Sequence, residues 1–587
     1  MEKTTPPHVV IIHLDLGIGG AESLVLNLAK ATLPADSDVY TTDNGEGEFP
    51  LSEFGTLSIY TTHCSPTHCY DEFCPQSRRQ TKSVGSLASY VHVRGAWIPR
   101  SFRLGGTALC SSLRMLYLTH RAYKENPGGN IFVIDVLPTG VPYLVDFCHV
   151  NAGVVFYCHF PDKLLTRDTD NHVKNLSLWK TSTFFLFLVR LRRAYRWFMD
   201  GIEEWSMSYC DLIVVNSYFT RGEVQRVFPS LFRTIDYCDN DASADSSDDR
   251  VKVLYPSIES SLAKQKNLKN KMKSTENMLL LDDALFVGPI VSLNRFERKK
   301  NVALLLHAYD ILLQRATNSE CGALTMVSLP SLIIAGGYDP LNVENVEHLT
   351  ELRALADQIL ARYDLNKSTL YHPNRTNAII DDMLLQKGTN APLKRGPCIV
   401  FLPSITNTRR TQLLASASVW VYTPHLEHFG IVPLEAMDAG VPVVAVDSGG
   451  PRETIVDGVT GFLIDSSDNA VLNTSQITLG ENPIVTGFAN AISKLLSDKP
   501  MAMDMGKRGR ERVDKNFGMV SFRKQWWEQL NDAQHRGAWR YHRGCTLYSI
   551  VGFSVMRMMW DAFFSICFAL IWSWALKLGD WKTSNIS

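Results

Sequence analysis

Charge of one sign is scarce in this chain of 587 residues: 59 Lys and Arg are balanced by 60 Asp and Glu, leaving a net charge of −1. That excludes nucleic acid as the main partner, because phosphate neutralisation needs a concentrated cationic excess. Cysteine is sparse as well. Twelve residues, scattered mostly singly from Cys64 to Cys567, exclude a disulfide framework and read as ordinary cytosolic usage. One close grouping, His63, Cys64, His68, Cys69 and Cys74, lacks the paired ligands at opposite ends of a hairpin that structural zinc sites use. It reads as a loop, and no metal is expected. The apolar run near the start, Val9 to Leu14, is too short for a signal segment and runs directly into glycines. No Walker lysine loop, Ser-His-Asp arrangement or paired zinc motif is found, so nothing supports an NTPase or a hydrolase.

What is present is a globular composition, 45% apolar and 20% charged, which excludes disorder as the main state and a collagen-like chain. At roughly 100–200 residues per domain, two to four compact units are expected. Short apolar runs alternate with helical patterns in two stretches. The first opens with Val9–Leu14 and a helix over about Ala21 to Lys30, and continues with Ile131–Val136, Val154–Tyr157 and Leu212–Val215. The second opens with Leu285–Leu293 and continues with Ser331–Ala335, Ile399–Leu402, Val419–Tyr422 and Val441–Val446. Such runs indicate parallel sheets covered on both faces. The expectation is an α/β protein of two Rossmann-like doubly wound domains facing across a cleft, over residues 1–257 and 282–516. A basic crossover or linker helix over 517–545 and a hydrophobic, membrane-associating segment over 546–578 would follow. Four polar stretches, Asp236–Arg250, Ser260–Lys273, Thr376–Gly396 and Ser466–Glu481, read as linkers or surface insertions.

Two segments bear on membranes. Thr546–Leu578 is mostly apolar and aromatic, is interrupted by Arg557 and Asp561, and follows Arg536, Arg540 and Arg543. Its uninterrupted part is short of the ~20 residues needed to span a bilayer upright, but Trp560, Trp572, Trp574 and the phenylalanines around them favour a membrane anchor or re-entrant segment over a buried C-terminal helix. Thr183–Arg190, followed by Arg192, Arg193 and Arg196, suits either a surface-lying helix or a core helix with a solvated edge.

The chemistry is carried by four motifs. In Glu427-His-Phe-Gly430-Ile431-Val-Pro433-Leu-Glu435, Gly430 and Pro433 forbid one continuous helix. A loop over Glu427–Gly430 and a helix beginning near Pro433, with Glu435 in its first turn, are expected. This presents two carboxylates and helix-start amides at the carboxyl end of a parallel sheet, where a diphosphate and sugar hydroxyls would be bound. Asn294-Arg295-Phe-Glu-Arg298-Lys299-Lys300-Asn301 follows the first strand of the second stretch. Asn301 can cap the next helix, and Arg295 and Lys300 can stabilise a departing diphosphate. Leu16-Gly17-Ile-Gly19-Gly20-Ala-Glu22 places Glu22 where a dinucleotide fingerprint needs its third glycine, which disfavours NAD or FAD while allowing close backbone approach. Tyr157-Cys-His159-Phe-Pro-Asp162 puts His159 at a strand end, and Ser448-Gly449-Gly450-Pro451 with Glu453 forms another glycine turn.

Taken together, Glu427, Glu435, Arg295 and Lys300 behind the glycine loop resemble the retaining nucleotide-sugar glycosyltransferases of family 4, which have the two-Rossmann GT-B architecture. Several strings are similar to those of the α-1,3/1,6-mannosyltransferases of dolichol-linked oligosaccharide assembly: Thr62–Cys69, Tyr157–Thr166, Val253–Ser257, Asn294–Asn301, Ala335–Leu349, Tyr422–Met437 and Val446–Ile455. The resemblance spans roughly Val9 to Asn516.

It implies GDP-mannose as donor and a dolichyl-diphosphate GlcNAc2-mannose as acceptor, with α-1,3 and then α-1,6 mannose added with retention. It further implies a location at the endoplasmic reticulum membrane with the catalytic domains on the cytosolic face, possible association with other dolichol-pathway glycosyltransferases, and no metal. By the same resemblance Glu435 would bind the ribose, Glu427 the donor mannose, and Arg295 and Lys300 the diphosphate beside Gly430 and Ile431. His159 would face the reacting mannose, and Gly17, Gly19 and Gly20 would line the cleft. Another family 4 enzyme of the same membrane, or a non-catalytic scaffold, is the alternative.

Overall fold

The computed structural model describes residues 7–34, 55–65, 68–74, 86–101, 107–165, 183–232, 250–258, 288–318, 325–371, 397–466 and 482–544. The segment 546–578 and nearly all of the four polar stretches lie outside the described residues. In chain order the first elements are β1 (His8–Ile12), β2 (Asp15–Leu16), α1 (Gly20–Thr32), β3 (Thr56–Thr61), β4 (His63–Cys64) and β5 (Val91–Val93). Then come α2 (Thr107–Glu125), β6 (Ile131–Asp135), β7 (Gly153–Cys158), α3 (Asp162–Leu165), α4 (Thr183–Ser208), β8 (Leu212–Val215), α5 (Tyr218–Val227) and β9 (Val251–Val253). The second half contains β10 (Ile290–Leu293), α6 (Val302–Asn318), β11 (Leu332–Gly336), α7 (Val343–Ala361), β12 (Thr369–Leu370), β13 (Ile399–Pro403) and α8 (Asn407–Ser416). It ends with β14 (Val419–Tyr422), α9 (Ile431–Asp438), β15 (Val443–Asp447), α10 (Pro451–Thr454), β16 (Gly461–Asp465), α11 (Pro483–Ser497), α12 (Lys499–Phe517) and α13 (Met519–Gly544).

These elements form two Rossmann-like units. Unit 1 comprises Met1–Val215, Val224–Lys252 and Arg523–Ser587, and unit 2 comprises Asn216–Glu223 and Val253–Phe522. The division departs from the sequence expectation in two places. Asn216–Glu223 packs with unit 2 because Glu453 accepts hydrogen bonds from the Tyr218 and Phe219 amides (2.8 and 2.6 Å) and so caps the start of α5. The helix expected as a linker belongs to unit 1 from Arg523 onward. There Trp526 is buried and donates to Thr32 Oγ1, and Arg540 grips Asp211.

Unit 1 has a sheet in the order β5-β3-β1-β6-β7-β8-β9, and unit 2 one in the order β12-β13-β11-β10-β14-β15-β16. From β5 to β8, and throughout the second sheet, the pairings are parallel. The strands are apolar runs because both faces are covered: Val9, Val10, Ile11 and Ile12 of β1 are all fully buried. In unit 2, α6 buries Leu304, Leu305, Leu312 and Leu313 against the sheet; losing one such side chain costs about 2–5 kcal/mol. In each sheet the first strand of the unit is central, with the strand order reversing beside it: between β1 and β6, and between β10 and β14. At such a switch point the loops at the carboxyl ends diverge and leave a crevice for a ligand.

No described helix is long and apolar enough to cross a membrane. The apolar run with its arginines forms part of α4, on which Arg192, Arg193 and Trp197 are exposed.

The end of β5 is pinned to the last turn of α2. Arg94 donates two hydrogen bonds to the Glu125 carboxylate (2.9 and 3.0 Å), which also accepts from the Tyr60 hydroxyl (3.0 Å) and from Arg121 (2.6 Å). The Arg94 guanidinium, against a smaller opposing effect of burial, holds Glu125 down at about 2 from an ordinary value of 4.5. A depressed carboxylate contributes stability above its unfolded value and loses it as pH falls through its folded value. Glu125→Gln should therefore lower the melting temperature above about pH 4.5 and progressively less toward pH 2. A melting-temperature gap that does not change across this window would show that the pair adds nothing.

Candidate active site

In unit 2 the two motif loops meet at the switch point. After β10, Arg298–Lys300 form one 3-10 turn, and Asn301 closes it in the left-handed conformation (φ 49) before α6 starts at Val302. Asn301 thus redirects the backbone where a side-chain cap was expected. The turn delivers Lys300 inward: its Nζ lies 2.5 Å from Glu427 Oε2, and Thr423, just past β14, donates to the Lys300 carbonyl (2.7 Å). Glu427 is largely buried. Burial pushes its carboxyl up, but the Lys300 charge and hydrogen bond outweigh burial and hold it below the usual range. Arg295 and Lys299 stay at the surface, 67% and 69% exposed, 3.8 and 3.3 Å from the Glu297 carboxylate.

The loop carrying Glu427 is backbone-strained and held from behind. Leu426 adopts φ 51 and Gly430 φ 81. Gly449 (φ 62) lies so close that a Cβ there would sit 2.4 Å from the Glu427 carbonyl, and Gly450 N donates to that same carbonyl (2.7 Å). Gly449 is thus required by Glu427's backbone and Gly450 by the backbone of Phe429, against which a Cβ would lie too close, and Ser448 Oγ accepts from the Leu426 amide (3.1 Å). Glu453, on the adjoining α10, caps α5 and accepts from the Tyr255 hydroxyl (2.9 Å).

The helix α9 begins at Ile431, directly after Gly430, which offers it no side-chain cap. It therefore starts two residues earlier than expected, with Pro433 in the first turn and Glu435 beyond it. Gly430 alone makes the turn, since its left-handed conformation is one that side-chain-bearing residues rarely adopt. Glu435 is paired with Arg410 of α8. Sequence reading missed Arg410, which is the second of two arginines on an otherwise polar helix.

In unit 1 the corresponding edge carries a second buried carboxylate. Asp135, the last residue of β6, is fully buried. One of its oxygens is 2.8 Å from His13 Nδ1 and the other 2.8 Å from His159 Nε2. His13 follows β1 and His159 follows β7, so three adjacent strand ends supply the cluster. Burial works against the Asp135 charge, yet the two imidazoles hold its carboxyl well below the ordinary range. His13 is raised in turn: burial lowers it, but the hydrogen bond and charge of Asp135 outweigh that. The next residue, Val136, is β-branched and adopts φ 73, with the Leu137 amide donating to the Asp135 carbonyl (3.0 Å). Such backbone costs about 1–3 kcal/mol and clusters at functional sites.

Sequence reading found His159 but neither Asp135 nor His13; the available signal was an acidic residue closing an apolar strand. Behind His159, Glu203 of α4 accepts hydrogen bonds from the Asp162 and Lys163 amides (2.8 and 3.1 Å) and fixes the segment. Gly19 caps α1 in extended backbone, and a Cβ on Gly20 would meet nothing within 4 Å. No internal contact among the described residues requires glycine at position 20, which leaves its outer face open to a ligand. Among the described residues no group of three or more His, Cys, Asp and Glu is arranged to hold a metal.

Residues 396–483 match the family described as Glycosyl transferases group 1. The chain is 32% identical to the alpha-1,3/1,6-mannosyltransferase ALG2 of Rhizomucor pusillus, over 88% of this chain and 89% of that one. It is 31% identical to the protein of the same name from Homo sapiens, over 89% and 95%. Among solved structures, the sucrose-phosphate synthase of Thermosynechococcus elongatus aligns at 16% identity and a TM-score of 0.47, over 88% of this chain and 97% of that one.

Asp135→Asn would keep the side-chain shape while removing the charge between two imidazoles. Breaking a buried pair costs about 3–5 kcal/mol, measurable by urea unfolding. Because His13 is raised, the pair's contribution is full below the imidazole's ordinary 6.5 and fades as pH rises through the raised value. The destabilisation should accordingly be larger on the acid side of neutrality than on the alkaline side. A loss equal on both sides would mean that no imidazolium is stabilised there.

Proposed function

Because the chain belongs to the family of the α-1,3/1,6-mannosyltransferases of N-glycan precursor synthesis, we propose that it transfers mannose from GDP-mannose to a dolichyl-diphosphate GlcNAc2-mannose acceptor. An α-1,3 and then an α-1,6 mannose are added with retention, at the cytosolic face of the endoplasmic reticulum membrane. The observation that supports this reading best is the Lys300–Glu427 pair at the switch point of unit 2. It sets a cation and a hydroxyl-accepting carboxylate at one strand edge, beside a helix start that a glycine leaves uncapped.

In this reading Arg295 and Lys300 hold the donor diphosphate, together with the amides at Gly430 and Ile431. As the anomeric carbon–oxygen bond breaks, its electron pair leaves with GDP, and preplaced cations stabilise that charge without a metal. Glu427 accepts from mannose hydroxyls, and its depressed carboxyl keeps it ionised for that role. Glu435, held in place by Arg410, accepts from the ribose. In unit 1, His159 faces the transferred mannose with its ring set by Asp135, and the Gly17, Gly19 and Gly20 loop lies on the same strand edge.

Purified full-length protein given GDP-mannose and a one-mannose lipid acceptor should yield products heavier by one and then two hexoses in mass spectrometry, with chelators present. Arg295→Ala should lower kcat about 10²-fold or more, the range seen when one preorganised donor to a developing charge is removed; Glu435→Ala, which takes away the acceptor for the ribose, should likewise abolish most transfer, and neither should unfold the protein. Transfer from a UDP-sugar with GDP-mannose inert, or arrest by chelators, would overturn the reading.

A further inference from the structure

The turn after β5, Arg94-Gly95-Ala96-Trp97-Ile98-Pro99-Arg100, takes no part in the site described above, yet it is rigidly built. Arg94 is clamped by Glu125. Gly95 adopts φ 74 against the Tyr117 ring, where a Cβ would sit 2.6 Å from a ring carbon. The Ile98 amide donates to the Gly95 carbonyl (3.1 Å). This framework holds Trp97 edge-on to Tyr117, with ring centroids 5.7 Å apart, while leaving the indole 69% exposed. A side chain of this kind normally buries 150–250 Å², so an indole held in place and left largely exposed offers apolar area to a ligand on this turn.

Arg100, 63% exposed, reaches to 3.7 Å from Asp15 Oδ1, and that carboxylate is already paired with the buried Arg114. Two guanidinium groups on one carboxylate leave one net positive charge facing outward. Because β1, β3 and β5 are parallel, this turn lies at the same sheet edge as the histidine cluster. The two are connected: His13 Nε2 is 3.0 Å from the Asp15 carbonyl, while His13 Nδ1 is bonded to Asp135.

We propose that the turn at Trp97–Arg100 receives the lipid-linked diphosphate of the acceptor, with Arg100 pairing with the diphosphate and Trp97 covering the first prenyl units. The inference rests on the acceptor class proposed above and assigns this chain's residues to it. A phosphate without a chain would be recognised by cations alone, and an apolar peptide would not need the outward charge of Arg100. An indole and a guanidinium on one fixed turn match an amphiphile whose diphosphate is joined to hydrocarbon.

The test uses full-length protein, natural and as Trp97→Ala and Arg100→Ala, with two readouts. In transfer assays with GDP-mannose, Arg100→Ala should raise KM about tenfold for any diphosphate-bearing acceptor, the scale of one charge-assisted contact. Trp97→Ala should raise it comparably only when the acceptor carries a prenyl chain. KM for GDP-mannose should not change in either variant. In calorimetry, a short polyprenyl diphosphate without sugar should bind the natural chain and bind both variants about tenfold more weakly.

Unchanged binding of that probe in both variants overturns the inference, whatever the transfer assay shows. So does a raised KM for GDP-mannose, which would place the turn at the donor. Normal acceptor KM in detergent, combined with lost sedimentation on anionic phospholipid vesicles, also overturns it and assigns the turn to the bilayer. Intact probe binding in a protein that does not use GDP-mannose would instead sink the donor assignment alone.

Discussion

A carboxylate at the rim of a parallel sheet, shielded from water by its own neighbours, stays ionised only if a cation is built in beside it. Both units meet that constraint at the point where the strand order reverses. In unit 2 Lys300 reaches Glu427 across the gap between β10 and β14. In unit 1 His13 and His159 share Asp135 between β1, β6 and β7. The central position of each unit's first strand makes this possible, since its exit loop and that of the neighbouring strand start side by side and then part. Groups far apart in sequence, 127 residues for Lys300 and Glu427, are thereby brought within hydrogen-bond distance.

The backbone around these carboxylates turns left-handed repeatedly, without strain where the residue is glycine and with strain where it is not. Leu426, Gly430 and Gly449 all take positive φ around Glu427, and Val136 does so directly after Asp135. A leucine and a valine in that region have no local reason to be there, and persist only because the surroundings over-determine them. The restraint is visible: Gly450 N and Ser448 Oγ hold the Glu427 loop from behind, and Glu203 holds the segment that follows His159. What is fixed in each case is the direction of one side chain, the property a site must have before a ligand arrives.

Much of this was legible before any coordinates. Apolar runs of strand length, separated by helical patterns, gave two Rossmann-like units, because buried parallel strands cannot alternate polar and apolar residues. Glu427, Glu435, Arg295, Lys300 and His159 stood out because loops at strand ends concentrate charge and glycine. Asp135 and His13 were hidden for a physical reason. Each is a single polar residue closing an apolar strand, and its meaning lies in a partner 122 residues away that only the sheet order brings near. Arg410 was hidden by its setting on a polar helix that also reads as solvated surface. The glycines at 449 and 450 read in the sequence simply as another glycine turn, whereas each is required by a close contact with the protein's own backbone. A glycine-rich turn reports that something approaches closely, and sequence does not say whether that is substrate or chain.

The internal pairing of Lys300 also shapes what unit 2 can do under the proposed reading. A lysine 2.5 Å from a largely buried carboxylate has part of its pull spent internally, so its hold on a bound diphosphate is muted in the resting state. As the sugar–phosphate bond breaks, charge accumulates on the diphosphate, while the hydroxyls held by Glu427 belong to a sugar that becomes more positive. The same ammonium and carboxylate can then separate their attentions, each drawn more strongly to its own end of the breaking bond than to the other. Stabilisation that grows along the reaction coordinate, and is muted at its start, accelerates the chemical step rather than merely tightening the complex. Arg295, exposed and only loosely tied to Glu297, gives up little internal pairing when it turns onto the same diphosphate, while the equally exposed Lys299 suits the complementary task of gathering the nucleotide from solution.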